Sequence, residues 1–385
     1  MAERALITGG AGFIGSHLAD ALLARGWEVR VLDNLDAQVH VRGAAGAREA
    51  DGWPGYLSRE AERVAGDVRD RSCVRSALEG VDVVFHEAAA VGVGQSMYEI
   101  ERYVDVNGRG AAVLLEAVLE RRDRIRKLVV ASSMSVYGEG AYGCPACGPV
   151  EAEERPRARM HARLWEMPCP ACGADCLPRP TSETKPLRPA SVYAVTKRDQ
   201  EELFLSVGRA YGIPTVALRY FNVYGPRQAL GNPYTGVATI FATRLLNGGA
   251  PLVFEDGRQT RDFVHVSDVV QANLLALESA AADGRVVNVG TGRAVSVLEV
   301  ASTLSERLDS DRPAEIAQRF REGDIRHCVA DVSRARELLD YVPRVSLADG
   351  LADLCPWLVQ GFEEARAADR LAHATSELET RGLAW

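Results

Sequence analysis

The 385-residue chain has the composition of a globular protein, with 47% hydrophobic and 25% charged residues. Its net charge of −8 argues against nucleic acid or an anionic membrane as the main partner, because both are polyanionic. No apolar run approaches the length of about 18 residues that a membrane-spanning helix needs. We therefore expect a cytoplasmic protein that binds neither membrane nor nucleic acid.

The first predicted elements are a strand, a glycine turn and a helix. A short apolar run precedes Gly9, Gly12 and Gly15, and a helical pattern follows them. Glycines there let the backbone amides close on a pyrophosphate at the positive end of the helix. A second strand, over residues 27–32, ends at Asp33, whose carboxylate would bind an adenosine ribose and repel a 2′-phosphate. This pattern predicts a dinucleotide site that favours NAD over NADP, although an ordinary glycine turn is the alternative.

Four further strands are predicted over residues 63–65, 81–85, 127–131 and 215–219. After the first of these, Asp67 could reach an adenine amino group or lie in a surface turn, and its spacing supports both interpretations equally. After the second, Ala88 and Ala89 would let a cofactor lie against the backbone. The third ends in the hydroxyl cluster of residues 132–135, at a strand tip where ligands bind in open α/β sheets.

A helical pattern from residue 192 to about residue 211 carries Tyr193 and Lys197 on one face, because residues four apart are neighbours on a helix. Lys197, with a positive nicotinamide ring, would lower the pKa of Tyr193 from about 10. Tyr193 could then take a proton from a substrate hydroxyl oriented by Ser133, while the carbon gives hydride to NAD. Tyrosine and lysine at this spacing are also common on ordinary helices, so the prediction depends on the upstream dinucleotide and serine motifs.

Ten motifs follow one another over almost the whole chain. They are TGGAGFIG (8–15), Asp33, GDV (66–68), HEAA (86–89), SSMSVYG (132–138), YAVTK (193–197), RYFNVYGPR (219–227), RDFVHVSD (261–268), NVGTG (288–292) and REGDIR (321–326). In this order they resemble the extended short-chain dehydrogenases/reductases of the nucleotide-sugar epimerase/dehydratase family. The resemblance implies an α/β fold with a doubly wound parallel (Rossmann) sheet.

The same resemblance implies a domain organisation. Residues 1–221 would form the NAD-binding domain, and residues 222–385 would form mainly a smaller α/β lobe that binds a nucleotide sugar and returns in part to the first domain. It also implies a homodimer.

The resemblance further implies functional residues and a tightly bound NAD. The cofactor contacts would be Gly9, Gly12, Phe13, Ile14, Asp33, Asn34, Asp67, Val68, Ala88, Ala89, Asn107, Ser132, Tyr193 and Lys197. The catalytic residues would be Ser133, Tyr193 and Lys197. The substrate contacts would be Ser133, Tyr193, Asn222, Arg227, Arg261, Arg321 and Asp324. Two guanidiniums and an amide suit a diphosphate, whereas the ordinary interpretation of Arg227 is a solvated surface residue.

The reaction is predicted from what stands beside Ser133. Dehydratases of the family carry an Asp-Glu pair where this chain has Met134 and Ser135, so dehydration is not expected. Tyrosine, serine and lysine alone suffice for oxidation at C4, rotation of the 4-keto sugar and hydride return to its other face. We predict an isomerase that inverts C4 of a nucleoside-diphosphate hexose. The alternatives are a nucleotide-sugar 4-ketoreductase, a uronic-acid decarboxylase, or a non-enzymatic regulatory protein with a zinc ribbon.

Residues 140–180 are a Cys-rich insert that departs from the family pattern. Two CPACG motifs supply Cys144, Cys147, Cys169 and Cys172, and such pairs can place four thiolates around a structural zinc ion. Crowded cysteines in a cytosolic protein favour metal over disulfides, although redox dithiols and unligated cysteines are alternatives.

Two questions about the insert stay open at this point. Cys176 or His161 could replace one of the four ligands. Because the insert lies between Ser133 and Tyr193 in sequence, we expect it at the rim of the active site, as a structural lid that contributes to sugar selectivity. The insert also resembles those of bacterial deoxysugar epimerases, which favours a dTDP-linked 6-deoxyhexose as substrate.

Overall fold

A computed structural model describes residues 3–40, 51–229, 236–365 and 371–385. Strands and helices alternate along the first third of the chain. These elements are β1 (Arg4–Thr8), α1 (Phe13–Leu23), β2 (Glu28–Asp33), β3 (Glu62–Ala65), α2 (Arg71–Ala77), β4 (Val83–His86), α3 (Val93–Ser96), α4 (Ile100–Tyr103), a π-helical segment (Val104–Arg109), α5 (Gly110–Leu119), β5 (Lys127–Ser133) and a 3₁₀ turn (Met134–Tyr137).

The remaining elements are shorter on average and less regular in their alternation. They are β6 (Ala141–Cys144), β7 (Gly148–Val150), α6 (Arg157–His161), β8 (Leu177–Arg179), α7 (Val192–Tyr211), β9 (Thr215–Tyr220), β10 (Asn222–Tyr224), α8 (Val237–Leu246), β11 (Leu252–Val253), β12 (Thr260–Arg261), β13 (Phe263–His265), α9 (Val266–Glu278), β14 (Arg285–Val289), β15 (Val295–Ser296), α10 (Val297–Arg307), β16 (Glu315–Ile316), β17 (His327–Cys328), α11 (Ser333–Leu339), α12 (Leu347–Ala365) and α13 (Leu371–Thr380).

The central sheet has seven strands in the order β14-β9-β5-β4-β1-β2-β3, and every neighbouring pair is parallel. Its two faces bury different helices, since successive side chains of a strand point to opposite sides. In β1, Ala5 and Ile7 belong to the core that contains α1 and α9, whereas Leu6 belongs to the core that contains α2 and α5. The predicted doubly wound α/β fold is confirmed.

The six predicted sheet strands are all present, and the seventh, β14, comes from the second half of the chain. Short sheets and α8, α10 and α12 surround a separate apolar core in that half. β10 begins at Asn222, and β14, from the second half of the chain, pairs with β9 at the edge of the central sheet. No helix among the described residues is both long and apolar enough to cross a membrane.

The Cys-rich insert forms its own three-stranded antiparallel sheet in the order β7-β6-β8. A small core fills it, made by Tyr142, Ala152 and Met167 together with three of its cysteines. The insert is therefore a compact unit that leaves the main chain just after β5 and returns to it before α7.

Candidate active site

The glycine turn between β1 and α1 has the close backbone approach that a dinucleotide site requires. Gly9 has a φ of +70°, and a Cβ there would lie 2.8 Å from the backbone of Ala88. A Cβ on Gly15 would lie 2.4 Å from the carbonyl of Gly9. Gly12 precedes α1 without a side-chain cap, so the first amides of the helix point at the turn with no capping partner. These residues fit the pyrophosphate of NAD, and Phe13 and Ile14 follow in the partly exposed first turn of the helix.

The carboxylates predicted near the adenosine end lie at the ends of adjacent strands. Asp33 ends β2 and accepts hydrogen bonds from the amides of Ala11, at 3.0 Å, and Leu35, at 2.9 Å. Asn34 is exposed and donates to Asp67 at 3.0 Å. Arg69 also binds Asp67, and its hydrogen bonds hold the pKa of that carboxyl well below the usual range. Asp67 is thus a partly buried, ionised acceptor beside Asn34.

Asn107 is buried between the end of β4 and α7. Its side-chain oxygen accepts from the amide of Ala90 at 2.8 Å, and its side-chain nitrogen donates to the carbonyl of Ala90 at 3.1 Å and to the hydroxyl of Thr196 at 2.9 Å. It therefore ties the end of β4 to α7, and its predicted cofactor contact stays a prediction. Ala88 and Ala89 are partly exposed in that same strand end, as the prediction requires, and Val68 is buried beneath α5.

The structure brings Tyr193 and Ser133 together. Ser191 caps α7 by accepting from the amide of Ala194 at 3.1 Å, which fixes where the helix begins. Tyr193, in the first turn, lies close enough to the Ser133 hydroxyl for that group to affect its pKa, and it packs edge-on against Tyr103, with ring centroids 6.4 Å apart. Burial raises the pKa of Tyr193, and the Ser133 hydroxyl lowers it by less. The predicted lowering of this pKa depends on the charge of bound nicotinamide as well as on Lys197, and it stays a prediction.

Lys197 lies one turn further along α7 and is buried with two carboxylates nearby. Burial lowers its pKa, whereas the charges of Glu87 and Glu201 raise it. Glu201 also accepts a hydrogen bond from the predicted cofactor residue Ser132 at 2.6 Å, so the Ser132 hydroxyl is already used. The sequence analysis missed both glutamates, although Glu201 is four residues from Lys197 and this helical spacing could have identified it.

Glu87 is the more informative omission because it lies at the strand end that faces the cofactor site. Tyr220 donates to it at 2.8 Å, and Asn273 in turn donates to the Tyr220 hydroxyl at 2.8 Å. Burial raises the pKa of Glu87, and Lys197 opposes this effect. Its neighbour His86 is fully buried, bonds Thr8 at 2.8 Å, and has its pKa lowered to about 3 by burial and, to a lesser extent, by Lys197.

A pocket opens beside this catalytic group. It is lined by Met134 and Ser135 next to Ser133, and by four of the predicted substrate residues: Asn222, Arg261, Arg321 and Asp324. The side-chain oxygen of Asn222 is buried and has no hydrogen-bond partner, as expected for a group that a ligand would satisfy.

The two pocket arginines are held in place by other groups. Arg261 donates to the carbonyls of Ile325, at 2.5 Å, and Arg326, at 3.0 Å. Arg321 pairs with Asp324 at 2.8 Å and lies over the ring of Phe254. Both guanidiniums are thus oriented at the pocket wall before any substrate binds.

Arg227, by contrast, is not part of this pocket. It pairs with Asp20 of α1 at 2.7 Å and lies over the ring of Tyr56, whose hydroxyl donates to the carbonyl of Ala11. Arg227 therefore lies against the first helix, next to the glycine turn, and its predicted substrate contact stays a prediction.

The four predicted metal ligands lie together. The sulfur atoms of Cys144, Cys147, Cys169 and Cys172 are all within 4.8 Å of one another. Tetrahedral zinc with Zn–S bonds of about 2.3 Å needs sulfurs about 3.8 Å apart, which this arrangement allows with small shifts. The residues present therefore fit a structural zinc ion.

The alternative ligands and the lid are not supported. Cys176 is buried in the small core of the insert, outside the group of four sulfurs, and the ring of His161 packs on Phe320 and Trp385. Among the described residues that line the substrate pocket, none belongs to residues 140–180. The expectation that the insert forms a lid over the sugar is therefore wrong.

The insert instead stabilises a segment next to the pocket through buried ion pairs. Arg326 has no exposed surface and donates to Glu166 of the insert at 2.6 Å, to Glu255 at 2.9 Å and to Asp256 at 2.6 Å. No spacing pattern predicts this cluster, because Arg326 and Glu166 are 160 residues apart.

A second arginine extends the same cluster. Arg155 of the insert donates to Glu139 at 3.0 Å and to Glu255 at 2.8 Å. It also donates to the carbonyl of the predicted substrate residue Asp324 at 3.1 Å. The insert thus holds the segment that carries Arg321 and Asp324.

Comparison with known proteins confirms the family indicated by the sequence motifs. The profile of the NAD dependent epimerase/dehydratase family matches residues 5–160 and 170–290, with a gap inside the Cys-rich insert. The protein belongs to this family.

Several of the relatives are named nucleotide-sugar 4-epimerases, and others are named a decarboxylase and a dehydratase. The chain is 34% identical to dTDP-L-rhamnose 4-epimerase of Burkholderia thailandensis, over 94% of this chain and 96% of that one. It superposes on UDP-glucose 4-epimerase of Thermotoga maritima with UDP-glucose at a TM-score of 0.73, with 32% identity over 93% of this chain and 99% of that one. For UDP-glucose 4-epimerase of Thermus thermophilus with NAD, the TM-score is 0.71, with 30% identity over 92% of this chain and 99% of that one.

Proposed function

We propose that the protein is an NAD-dependent epimerase that inverts C4 of a nucleoside-diphosphate hexose, and that its substrate is a dTDP-linked 6-deoxyhexose. The observation that carries the proposal is the proximity of Tyr193 and Ser133 beside a pocket that presents Asn222, Arg261 and Arg321. The names of the relatives support the reaction, and the Burkholderia enzyme supports the sugar and the nucleotide.

In this proposal one residue transfers the proton and others orient the substrate hydroxyl or favour the ionised phenol. Bound NAD⁺ supplies the hydride acceptor and the positive charge that lowers the pKa of Tyr193 to a working range. Tyr193 takes the proton of the 4-hydroxyl and later returns it. Ser133 donates a hydrogen bond to the same oxygen, and Lys197, one turn away on α7, favours the ionised phenol.

Inversion requires that the 4-keto sugar turn over while the nucleotide stays in place. Arg261 and Arg321 would bind the diphosphate, since guanidiniums offer paired donors to phosphate oxygens. Asn222 would add a polar contact, and Asp324 would lie toward the nucleoside. A firmly held diphosphate leaves the sugar free to rotate about its linkage to the phosphate.

The test is to incubate the enzyme with UDP-, dTDP-, GDP- and CDP-linked hexoses and follow the C4 proton by NMR. We expect the coupling pattern of the opposite C4 configuration to appear without added NAD being consumed. Turnover that needs one NAD or NADH per sugar would instead indicate a 4-ketoreductase, and release of carbon dioxide from a uronic acid would indicate a decarboxylase.

We propose separately that the four clustered cysteines bind a structural zinc ion. Four thiolates leave no open coordination position, so the metal would stabilise the insert and take no part in the reaction. Metal analysis should find about one zinc ion per chain. Cys169→Ser should lose it, whereas the matched control Cys73→Ser, at an isolated cysteine, should retain it. A wild type with far less than one zinc per chain would contradict the proposal.

The division at residue 222, the homodimer and the cytoplasmic location remain predictions from the sequence. Size-exclusion chromatography with light scattering would test the dimer directly.

A further inference from the structure

One wall of the substrate pocket is made by a segment that no sequence motif marks. Ala374, Thr375 and Leu378 of α13 line the pocket together with Asn222 and Arg321. All three are almost fully buried, with Leu378 only 5% exposed. The segment of residues 371–385 is thus built into the substrate site.

This segment is fixed to the loop that carries Arg321. Phe320 and Trp385 exchange two backbone hydrogen bonds of 3.0 Å, and their rings stack with centroids 5.2 Å apart. The amide of Glu322 donates to the carbonyl of Leu383 at 2.9 Å. These contacts give the wall a defined place relative to the diphosphate-binding side of the pocket.

Leu378 lines the end of the pocket that α3 forms. It packs against Gly94, where a Cβ would lie 3.4 Å from both of its terminal methyl carbons. Gly94 belongs to α3, and Ser96 at the end of that helix accepts a hydrogen bond from the backbone amide of Tyr193 at 3.0 Å. The sugar, whose C4 must reach Tyr193, therefore occupies this end.

The side chains that α3 contributes to this end are apolar. Val93 and Met97 line the pocket with Leu378, and Thr375, one turn before Leu378 on α13, adds a hydroxyl. Within the described lining, the positively charged side chains are Arg261 and Arg321, which the proposed function assigns to the diphosphate. A carboxylate at C6 would have no cation to pair with here and would lose its hydration. A methyl group would be buried against carbon.

We propose that Leu378 is a specificity-determining residue, and that α13 selects nucleotide sugars whose C6 is a methyl group. The inference rests on the proposed function and adds a structural source for the sugar preference. It assigns to α13 the selectivity that was expected of the Cys-rich insert.

The experiment compares kcat/KM and calorimetric affinity for three dTDP-linked sugars that differ only at C6: methyl, hydroxymethyl and carboxylate. Wild type should prefer methyl over carboxylate by at least about 100-fold, and Leu378→Ala should reduce the preference about 10-fold, the range expected for lost apolar contact in a pocket. Leu177→Ala, at an exposed leucine of the insert, is the matched control and should change nothing. Met97→Lys, at a partly exposed lining position, should improve the carboxylate sugar and weaken the methyl sugar.

Two results would overturn the inference: a wild type that handles the carboxylate sugar as well as the methyl sugar, or preferences that neither Leu378→Ala nor Met97→Lys alters. Met97→Lys keeps the test valid if Leu378→Ala fails to fold. A wild type that binds the methyl sugar preferentially but does not epimerise it would refute the proposed function while supporting the role of Leu378.

Discussion

Replacing Arg326 by methionine tests whether the insert stabilises the substrate segment through the buried ion cluster. The change keeps an unbranched side chain, shorter than that of arginine, and removes the cation that Glu166, Glu255 and Asp256 share. Removing one partner of a buried pair costs about 3–5 kcal/mol, because the remaining charges are left uncompensated. We expect the lower end, about 3 kcal/mol, since Glu166 and Asp256 are 33% and 25% exposed and water can partly solvate them.

The assay is urea unfolding followed by circular dichroism, with zinc and NAD present in equal excess for all variants. Arg122→Met is the control, because Arg122 is 58% exposed and its salt bridge to Asp123 is 3.8 Å long. The control should lose less than about 0.5 kcal/mol. If Arg326→Met loses no more than the control, the cluster does not stabilise the fold and the reasoning is refuted.

The same variant should also change substrate binding selectively. Arg155 of the cluster bonds the backbone of Asp324, and Arg321 lies three residues before it. We therefore expect KM for the nucleotide sugar to rise while the Kd for NAD stays unchanged, since the glycine turn is formed by other residues. If KM for the nucleotide sugar and the Kd for NAD rose equally, the variant would have lost folded protein in general.

Two further predictions concern α7 and β4. Tyr193→Phe should lower kcat by about 10²- to 10⁴-fold with little change in KM, because the ring packing on Tyr103 is kept and only the proton-transfer group is lost; retention of most activity in a steady-state assay would remove Tyr193 from its role. His86 is the source of a pH effect: since its folded pKa of about 3 lies below the ordinary 6.5, the unfolded chain binds the extra proton and stability is lost as pH falls from 6.5 toward 3. Between pH 6.5 and 4.5 this amounts to roughly 2 kcal/mol, so urea unfolding of His86→Gln should show a loss of stability that is smaller by about that amount. Equal pH slopes for the two proteins would contradict it.

The sequence predicted the parts of the molecule that depend on local pattern. Six strands of the sheet were predicted from short apolar runs that end in glycine or other small residues. The spacing of Tyr193 and Lys197 along one helix placed them on the same face. The two CPACG motifs similarly located four sulfurs that the fold brings within 4.8 Å. Each of these features is encoded within a few residues, where backbone geometry alone fixes the outcome.

Contacts between distant segments could not be predicted from the sequence. Asn107 carries a polar amide at the right place in the family pattern, but Thr196 and the backbone of Ala90 use it. Arg227 follows a matched motif, but Asp20 of the first helix binds it. Burial of Tyr193 likewise depends on how three separate elements pack, so its raised pKa could not be read from its spacing to Lys197.

The loop that carries Arg321 shows how the two unusual segments of this protein divide their roles. The insert contacts the loop through Arg155, which donates to the carbonyl of Asp324. Residues 383–385 pair with the loop through backbone hydrogen bonds and so place α13 in the pocket wall. Support and selection therefore come from different parts of the chain. Because Leu378 touches the pocket and Arg326 does not line it, a change at Leu378 should alter which sugar is used without altering stability beyond its own packing, whereas a change at Arg326 should weaken all nucleotide sugars together.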